Sequence, residues 1–341
     1  MKLWFRKGVY ASKKAQRAVS SLKRDEIRNI AIIRHAALGD MLLTRAFVTE
    51  ARKAFPNAFI TFSIVSHYTY GCPEDLVDRV HVVHGKGERA TFLEKIRRIR
   101  ELGQQDLIFD LADTNKSIKI CLLNKATLTI GFPYRMTYAR LFYDVATCRS
   151  DLNFEVNDML SQLHVLGCRT EFPHKYDMPG TALKREHSYI VYFPGASGKH
   201  KSWPVASFRS LISRMTIEYP DHEHLILEGL QDWEKENVKA IVSPFDNVDN
   251  INPVRAKTIE DVIALIKGAD LLVSNDTGIR HVAITSGTPS VGVFYRDPYR
   301  YWPRYGIHEV AFSEIDDSPD VDQVFNQCVK VLNNIGSKTP S

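Results

Sequence analysis

The chain of 341 residues lacks several things that would have assigned it quickly. No apolar run approaches the roughly 20 residues that cross a bilayer, and the opening MKLWFRKGVY has neither the apolar stretch nor the small-residue cleavage site of a secretory signal. A cytoplasmic protein is expected. Its five cysteines, Cys72, Cys121, Cys148, Cys168 and Cys328, are odd in number and scattered, and no C-x-x-C pair suggests zinc or a redox dithiol. They read as reduced packing residues. Internal repeats and low-complexity tracts are absent, as is the G-x-x-x-x-G-K-[ST] loop of an ordinary ATPase.

Acidic residues are missing from residues 1 to 24, which hold eight basic side chains: Lys2, Arg6, Lys7, Lys13, Lys14, Arg17, Lys23 and Arg24. The formal net charge of +5 comes from this segment, because 37 basic and 40 acidic residues elsewhere sum to −3. Trp4, Ala11, Ala15, Ala18 and Leu22 recur within it at helical spacing. Two readings stay open: a segment lying on an anionic membrane surface with Trp4 and Phe5 as anchors, or a solvated leader. No nucleic-acid-binding module accompanies the basic residues, so no nucleic acid is expected as a partner.

What is present is βαβ grammar, twice over. RNIAIIRH (28 to 35) is followed by a helical pattern through Met41 to Phe55, then AFITFSIV (58 to 65), RVHVV (79 to 83), a charged helix at 93 to 102, DLIFDL (106 to 111) and TLTIGF (127 to 132). Several runs are apolar without alternation, as parallel strands buried on both faces require. After a polar, Pro/Gly-containing stretch comes a second series: SYIVYFPG (188 to 195), a helix from about Ser207, HLILEG (224 to 229), DLLVSND (270 to 276), a helix from about Ile279, SVGVFY (290 to 295) and a final helix from about Val321 to Leu332. The expected division is a basic leader (1 to 27), a first Rossmann-like domain (28 to 175), a linker (176 to 187), a second Rossmann-like domain (188 to 320) and a closing helix and tail (321 to 341). The fold class is α/β, with two doubly wound domains facing each other across a cleft and ligands at the carboxyl ends of the strands.

Three strand-to-helix junctions carry candidate chemistry. In HAALGDMLLT (35 to 44) Gly39 permits a tight backbone path and Asp40 begins a helix, where it either caps free N–H groups or projects from the sheet edge as a catalytic base. In FPGASGKHKSWP (193 to 204) Gly195 and Gly198 let amides approach an anion, Ser197 offers a hydroxyl and Lys201 a mobile charge; a solvated surface loop is the alternative. In ADLLVSNDTGIRHVAITSGTP (269 to 289) Asp276, Thr277 and Gly278 open a helix bearing His281, which suits a diphosphate. Glu228 or Glu234 follows a strand and stands where a ribose hydroxyl binds in such sheets, or at a solvated helix start. Asp320-Val321-Asp322 matches a D-x-D metal pattern but falls where helix caps are expected, and reads as structural.

Taken together, these segments resemble the heptosyltransferases of glycosyltransferase family 9. The R-x-x-x-x-G-D pattern fits Arg34, Gly39 and Asp40. P-G-A-S and K-x-W-P fit Pro194 to Ser197 and Lys201 to Pro204, and D-T-G-x-x-H fits Asp276, Thr277, Gly278 and His281, with Arg280 where a small or apolar residue is expected. The resemblance covers about residues 28 to 330. It implies a GT-B fold and an inverting, metal-independent transfer of heptose from ADP-heptose to the lipopolysaccharide inner core. The implied partners are a nucleotide sugar and a lipid-linked glycan acceptor, the lipopolysaccharide core; the basic residues 1 to 24 lie outside the resemblance, and their contact with the inner face of the inner membrane stays one of the two readings above. Asp40 is then the base; Ser197, Lys201, Asp276, Thr277, Gly278, His281 and Glu228 bind the donor, with Gly39, Gly195 and Gly198 supporting; no cofactor and no metal is expected. Two alternatives stand beside it: a relative using another nucleotide sugar or acceptor, and a catalytically inactive nucleotide-binding protein of the same fold.

Overall fold

The structure is a computed structural model describing residues 9–133, 139–313 and 318–336. The chain divides into two compact units, Met1–Asp177 and Met178–Ser341. Each is a parallel sheet flanked by helices.

In the first unit the strands are β1 (Tyr10–Ala11), β2 (Asn29–Ile33), β3 (Phe59–Val65), β4 (Arg79–Val83), β5 (Gln105–Asp110), β6 (Ala126–Gly131) and β7 (Val145–Ala146). They lie in the order β1-β7-β6-β5-β2-β3-β4, every pair parallel except β1 with β7. The helices are α1 (Lys13–Ser20), α2 (Leu38–Ala54), α3 (Phe92–Arg100), α4 (Asn115–Leu123), α5 (Ala139–Phe142) and α6 (Glu155–His164). The central strands are buried on both faces: Ile30 to Ile33 of β2 and Leu107 to Asp110 of β5 are inaccessible to solvent. That burial explains their unalternating sequences.

The second unit contains β8 (Tyr189–Phe193), β9 (Glu223–Leu227), β10 (Ile251–Val254), β11 (Leu271–Asn275), β12 (Ser290–Phe294) and β13 (His308–Phe312), all parallel in the order β10-β9-β8-β11-β12-β13. Around them lie α7 (Val205–Glu218), α8 (Asp232–Val242), α9 (Ile259–Lys267), α10 (Gly278–Ser286) and α11 (Val321–Gly336). Ile190, Tyr192, Trp203, Phe208, Val273, Val293, Val324 and Cys328 belong to one continuous core, so the closing helix is part of this unit. The strand order reverses between β8 and β11, and in such sheets the crevice beyond the strand ends at that switch is where ligands bind.

The basic amino-terminal segment differs from a detached leader. From Tyr10 it is built into the first unit: β1 pairs antiparallel with β7, Ser12 caps α1 by accepting from the Ala15 amide at 2.9 Å, and Lys14 pairs with Asp144 at 3.3 Å. Trp4 and Phe5 lie outside the described residues, as do Lys2, Arg6 and Lys7. Among the described residues no helix is long and apolar enough to cross a membrane. No disulfide joins the five cysteines; three are buried and Cys148 is exposed.

Candidate functional site

In the first unit β2 delivers its chain to the carboxyl edge of the sheet and the turn leads into α2, which starts at Leu38 rather than at Asp40. The N-cap is Ala37, whose side chain makes no capping hydrogen bond. Asp40 is therefore not the cap; it sits inside the first turn, and Gly39 beside it is an ordinary helical residue without positive φ. The structure corrects the capping reading of Asp40, and Gly39, expected in a tight turn, lies inside the helix instead.

What Asp40 does touch is Arg34. The guanidinium Nη2 lies 3.5 Å from Asp40 Oδ1, and Arg34 is 3% exposed against 28% for the aspartate side chain. Oδ1 is buried and has no hydrogen-bond partner, so whatever part of the carboxylate meets solvent is Oδ2. Behind Arg34, Glu155 accepts from Nη2 at 3.1 Å and from Arg149 at 3.0 Å, and Arg149 pairs with Asp113 at 3.4 Å. His35, next in the turn, approaches Thr114 Oγ1 at 3.2 Å. Burial first, and then Lys116, pushes its pKa down to about 3, so it is a neutral imidazole at pH 7.

In the second unit Asn275, the last residue of β11 and fully buried, organises the site. Its side-chain amide donates to the carbonyls of Pro194 (2.9 Å) and Gly195 (3.1 Å), while its carbonyl accepts from the Trp203 amide at 3.0 Å. Ser202 closes the same loop by donating to the Pro194 carbonyl at 2.8 Å, and Tyr295 donates to the Ser202 carbonyl at 3.0 Å. One buried amide thus brings the Gly195–Lys201 segment to the end of β11. Ser197, Lys199, His200 and Lys201 ride exposed on that loop, and among the described residues Lys201 enters no ion pair.

Thr277 is the N-cap of α10, yet its side chain caps nothing: Oγ1 is buried without a partner. With Gly278 as the first helical residue, the opening amides and this hydroxyl form an uncapped helix start, a natural anion site. Asp276, just before it, is exposed. His281 is buried with its ring 5.1 Å from that of Tyr301, and burial followed by Arg280 lowers its pKa to about 3. Arg280 is fully buried; it donates to the Tyr301 carbonyl at 2.7 Å and occupies the space that a side chain on Gly292 would fill.

Packing gives Gly195 a steric reason to be glycine. A Cβ there would stand 2.4 Å from Glu234 Oε1, and one on Gly229 2.3 Å from Oε2. Glu234 packs between the two loops and accepts from the Gln231 amide at 2.9 Å as the capping-box acid of α8, which accounts for it structurally. Gly198 has only the His200 ring nearby, at 3.1 Å from such a Cβ. Glu228 follows β9 and lines a cavity of about 350 Å³ with Lys235, Lys239, Val242 and Pro253, none of them part of the Asn275 cluster. Asp320 caps α11 by accepting from the Gln323 amide at 2.7 Å and Asp322 pairs with Arg214, so both acids of the D-x-D pattern have structural work. Among the described residues no group of three or more His, Cys, Asp or Glu side chains is arranged to hold a metal ion.

Asn275 and Glu155 are the residues that sequence reading passed over. The only signal for Asn275 was a polar residue ending an apolar strand; Glu155 gave none.

Comparison with known proteins follows the same lines. The sequence model of glycosyltransferase family 9 (heptosyltransferase) matches residues 96–329, a stretch that begins past Asp40. Lipopolysaccharide heptosyltransferase 1 of Campylobacter coli is 23% identical over 314 residues, covering 82% of this chain and 88% of that protein. Lipopolysaccharide heptosyltransferase 3 of Escherichia coli is 23% identical over 313 residues, covering 84% and 89%. Among solved structures, the glycosyl transferase family 9 protein of Veillonella parvula superposes with a TM-score of 0.71 at 19% identity, covering 93% of this chain and 99% of that one. The E. coli heptosyltransferase WaaC with ADP superposes at 0.66 and 19%, covering 91% and 98%. The likeness establishes the fold class: two Rossmann-like domains of the GT-B type.

Proposed function

The chain belongs to glycosyltransferase family 9, and we propose that it transfers heptose from ADP-heptose to the inner core of lipopolysaccharide by a single, inverting, metal-independent displacement. The second unit holds the donor. The observation that carries this reading is the junction at Asn275, which gathers a basic glycine-containing loop to an uncapped helix start bearing the unpartnered Thr277 hydroxyl. Amides of α10, Thr277 Oγ1 and Lys201 stabilise the charge that develops on the departing diphosphate, the work a metal ion does elsewhere. Ser197 and Asp276 lie on the same two segments and complete the donor contacts; His281, neutral and packed on Tyr301, shapes the wall.

The first unit supplies the base. Asp40 takes the proton of the acceptor hydroxyl through Oδ2 as that oxygen attacks the anomeric carbon, the bond to the diphosphate breaks, and the electron pair leaves with ADP. One displacement inverts the anomeric centre. Because the acceptor is lipid-linked, the reaction takes place at the cytoplasmic face of the inner membrane, with Lys13, Lys14 and Arg17 presented to anionic headgroups.

The direct test is transfer with purified full-length protein, ADP-heptose and heptose-free lipopolysaccharide, followed by mass spectrometry and by NMR of the new anomeric proton. Gain of one heptose with inverted configuration is expected. No gain, or gain with a retained configuration, rejects the reading. Arg280, which stands where a small or apolar residue is expected in the helix-opening motif and tethers the Tyr301 carbonyl, favours a second reading in which the donor sugar differs. A panel of nucleotide sugars screened by thermal shift and transfer separates the two.

A further inference from the structure

Arg34 is 3% exposed, so its charge depends on protein partners. Its guanidinium is fixed at two corners: Nη1 donates to the Leu111 carbonyl and Nη2 to Glu155 Oε1 at 3.1 Å. The same Nη2 stands 3.5 Å from Asp40 Oδ1, within ion-pair range and beyond a firm hydrogen bond. At that separation the cation orients the carboxylate without closing on it.

Glu155 is what keeps Nη2 at that separation. It is 1% exposed, comes from the first turn of α6, and its Oε1 accepts from Arg34 and from Arg149 together. Arg149 is held in turn by Asp113 at 3.4 Å and by the Phe132 ring, 4.6 Å from its guanidinium carbon. The result is a row of alternating charges, Asp113, Arg149, Glu155, Arg34 and Asp40, whose three inner members are each held from both sides.

We propose that Glu155 is a positioning residue for sugar transfer: acting through Arg34, it holds Asp40 with Oδ1 turned inward and Oδ2 presented to the acceptor hydroxyl. The inference rests on Asp40 being the base and adds the residue that aims it. Without the Glu155 charge, Arg34 is drawn onto Asp40 by an attraction that little solvent screens, and the carboxylate turns away from the acceptor. The acceptor then binds as before and reacts more slowly, since loss of alignment by even an ångström is felt in the rate.

The test is Glu155→Gln in the full-length enzyme, alone and combined with Asp40→Asn, with kcat and KM measured on ADP-heptose and heptose-free lipopolysaccharide, ADP affinity by calorimetry, and melting temperature. A fall in kcat of about 10- to 100-fold is expected, with KM and ADP affinity within about twofold. In the Asp40→Asn background the second substitution should cost nothing further, because both act through one carboxylate. A kcat within about threefold of wild type overturns the inference, as does a loss that multiplies with that of Asp40→Asn, the mark of a purely structural role.

Should Glu155→Gln fail to fold, Arg34→Met with Glu155→Leu removes both buried charges at once, which folds tolerate better than one uncompensated charge. The same fall in kcat is expected there, and near-normal kcat overturns the proposal. The two levels of the argument fail separately. Near-normal turnover by Asp40→Asn removes the base, whereas an inactive Asp40→Asn beside an active Glu155→Gln removes only the role of Glu155.

Discussion

The two units use one backbone device for opposite ends. In each, a buried central strand, β2 or β11, runs into a helix whose N-cap side chain caps nothing: Ala37 has no group to do so, and Thr277 leaves its hydroxyl unpartnered. The fold thus produces two similar helix starts. Side chains then give them opposite character. The first unit places an acid in the opening turn and holds it with a buried arginine. The second keeps its helix start open and draws a loop carrying Lys199 and Lys201 to it through Asn275. A carboxylate at one junction suits proton removal, and unpaired donors at the other suit a diphosphate. The comparison teaches that the Rossmann junction supplies the exposed amides, while a few long-range polar contacts decide which charge it serves.

If the division holds, substitutions in the two junctions should separate cleanly. The largest effect is expected from Asp40→Asn, which keeps the shape and removes the base: kcat should fall by about 10²- to 10⁴-fold in a transfer assay. Next comes Asn275→Ala, which strands the carbonyl of Gly195 and the amide of Trp203 and leaves the Pro194 carbonyl with Ser202 alone. It should cost about 1–3 kcal/mol in chemical denaturation and weaken ADP binding about tenfold, because the lysine loop comes loose. Lys201→Ala removes one exposed cation from the donor side. ADP affinity should fall by less, about three- to tenfold, with no change in melting temperature.

The smallest effect is a difference in acid sensitivity. In the second unit burial lowers His224 to a pKa of about 4, and burial with Arg280 nearby lowers His281 and His308 to about 3. Their unfolded forms take protons below about 6.5 while the folded forms do not until far lower, so the stability they permit at pH 7 is lost as pH falls from 6.5. In the first unit His35 behaves in this way, and His81 and His174 are lowered too, but burial raises Asp158 to about 6. Asp158 acts in the reverse sense: the folded form takes its proton first, so acidification from 6 towards 3.8 favours the fold. Hydrogen exchange at pH 5 against pH 7, corrected for intrinsic rates, should show β8 to β13 losing more protection than β2 to β6. Equal losses would remove this part of the contrast.

The strands were the legible part of the molecule. Runs such as Phe59–Val65 and Leu271–Asn275 are apolar because both faces are buried, and that signal is local. β10 escaped notice because Asn252 and Pro253 interrupt its four residues, which the edge of the sheet tolerates. The sequence points to Asp40 as the start of α2, whereas the helix begins at Leu38, because Ala37 carries no capping group to mark the boundary. The three junction segments could be read from their glycines and acids, but the contacts that give them meaning could not. Asn275 reaches back 81 positions to the Pro194 carbonyl, and Glu155 reaches 121 positions to Arg34. No pattern within a window of sequence encodes such pairs.

The measurement that bears most directly on the division of labour is the ADP affinity of full-length Asp40→Asn, taken by calorimetry beside the wild-type protein and paired with its turnover. The account predicts affinity unchanged within about twofold while transfer is lost, since the donor is held by the other junction. Loss of ADP binding together with transfer, or transfer persisting at near-normal rate, would contradict it.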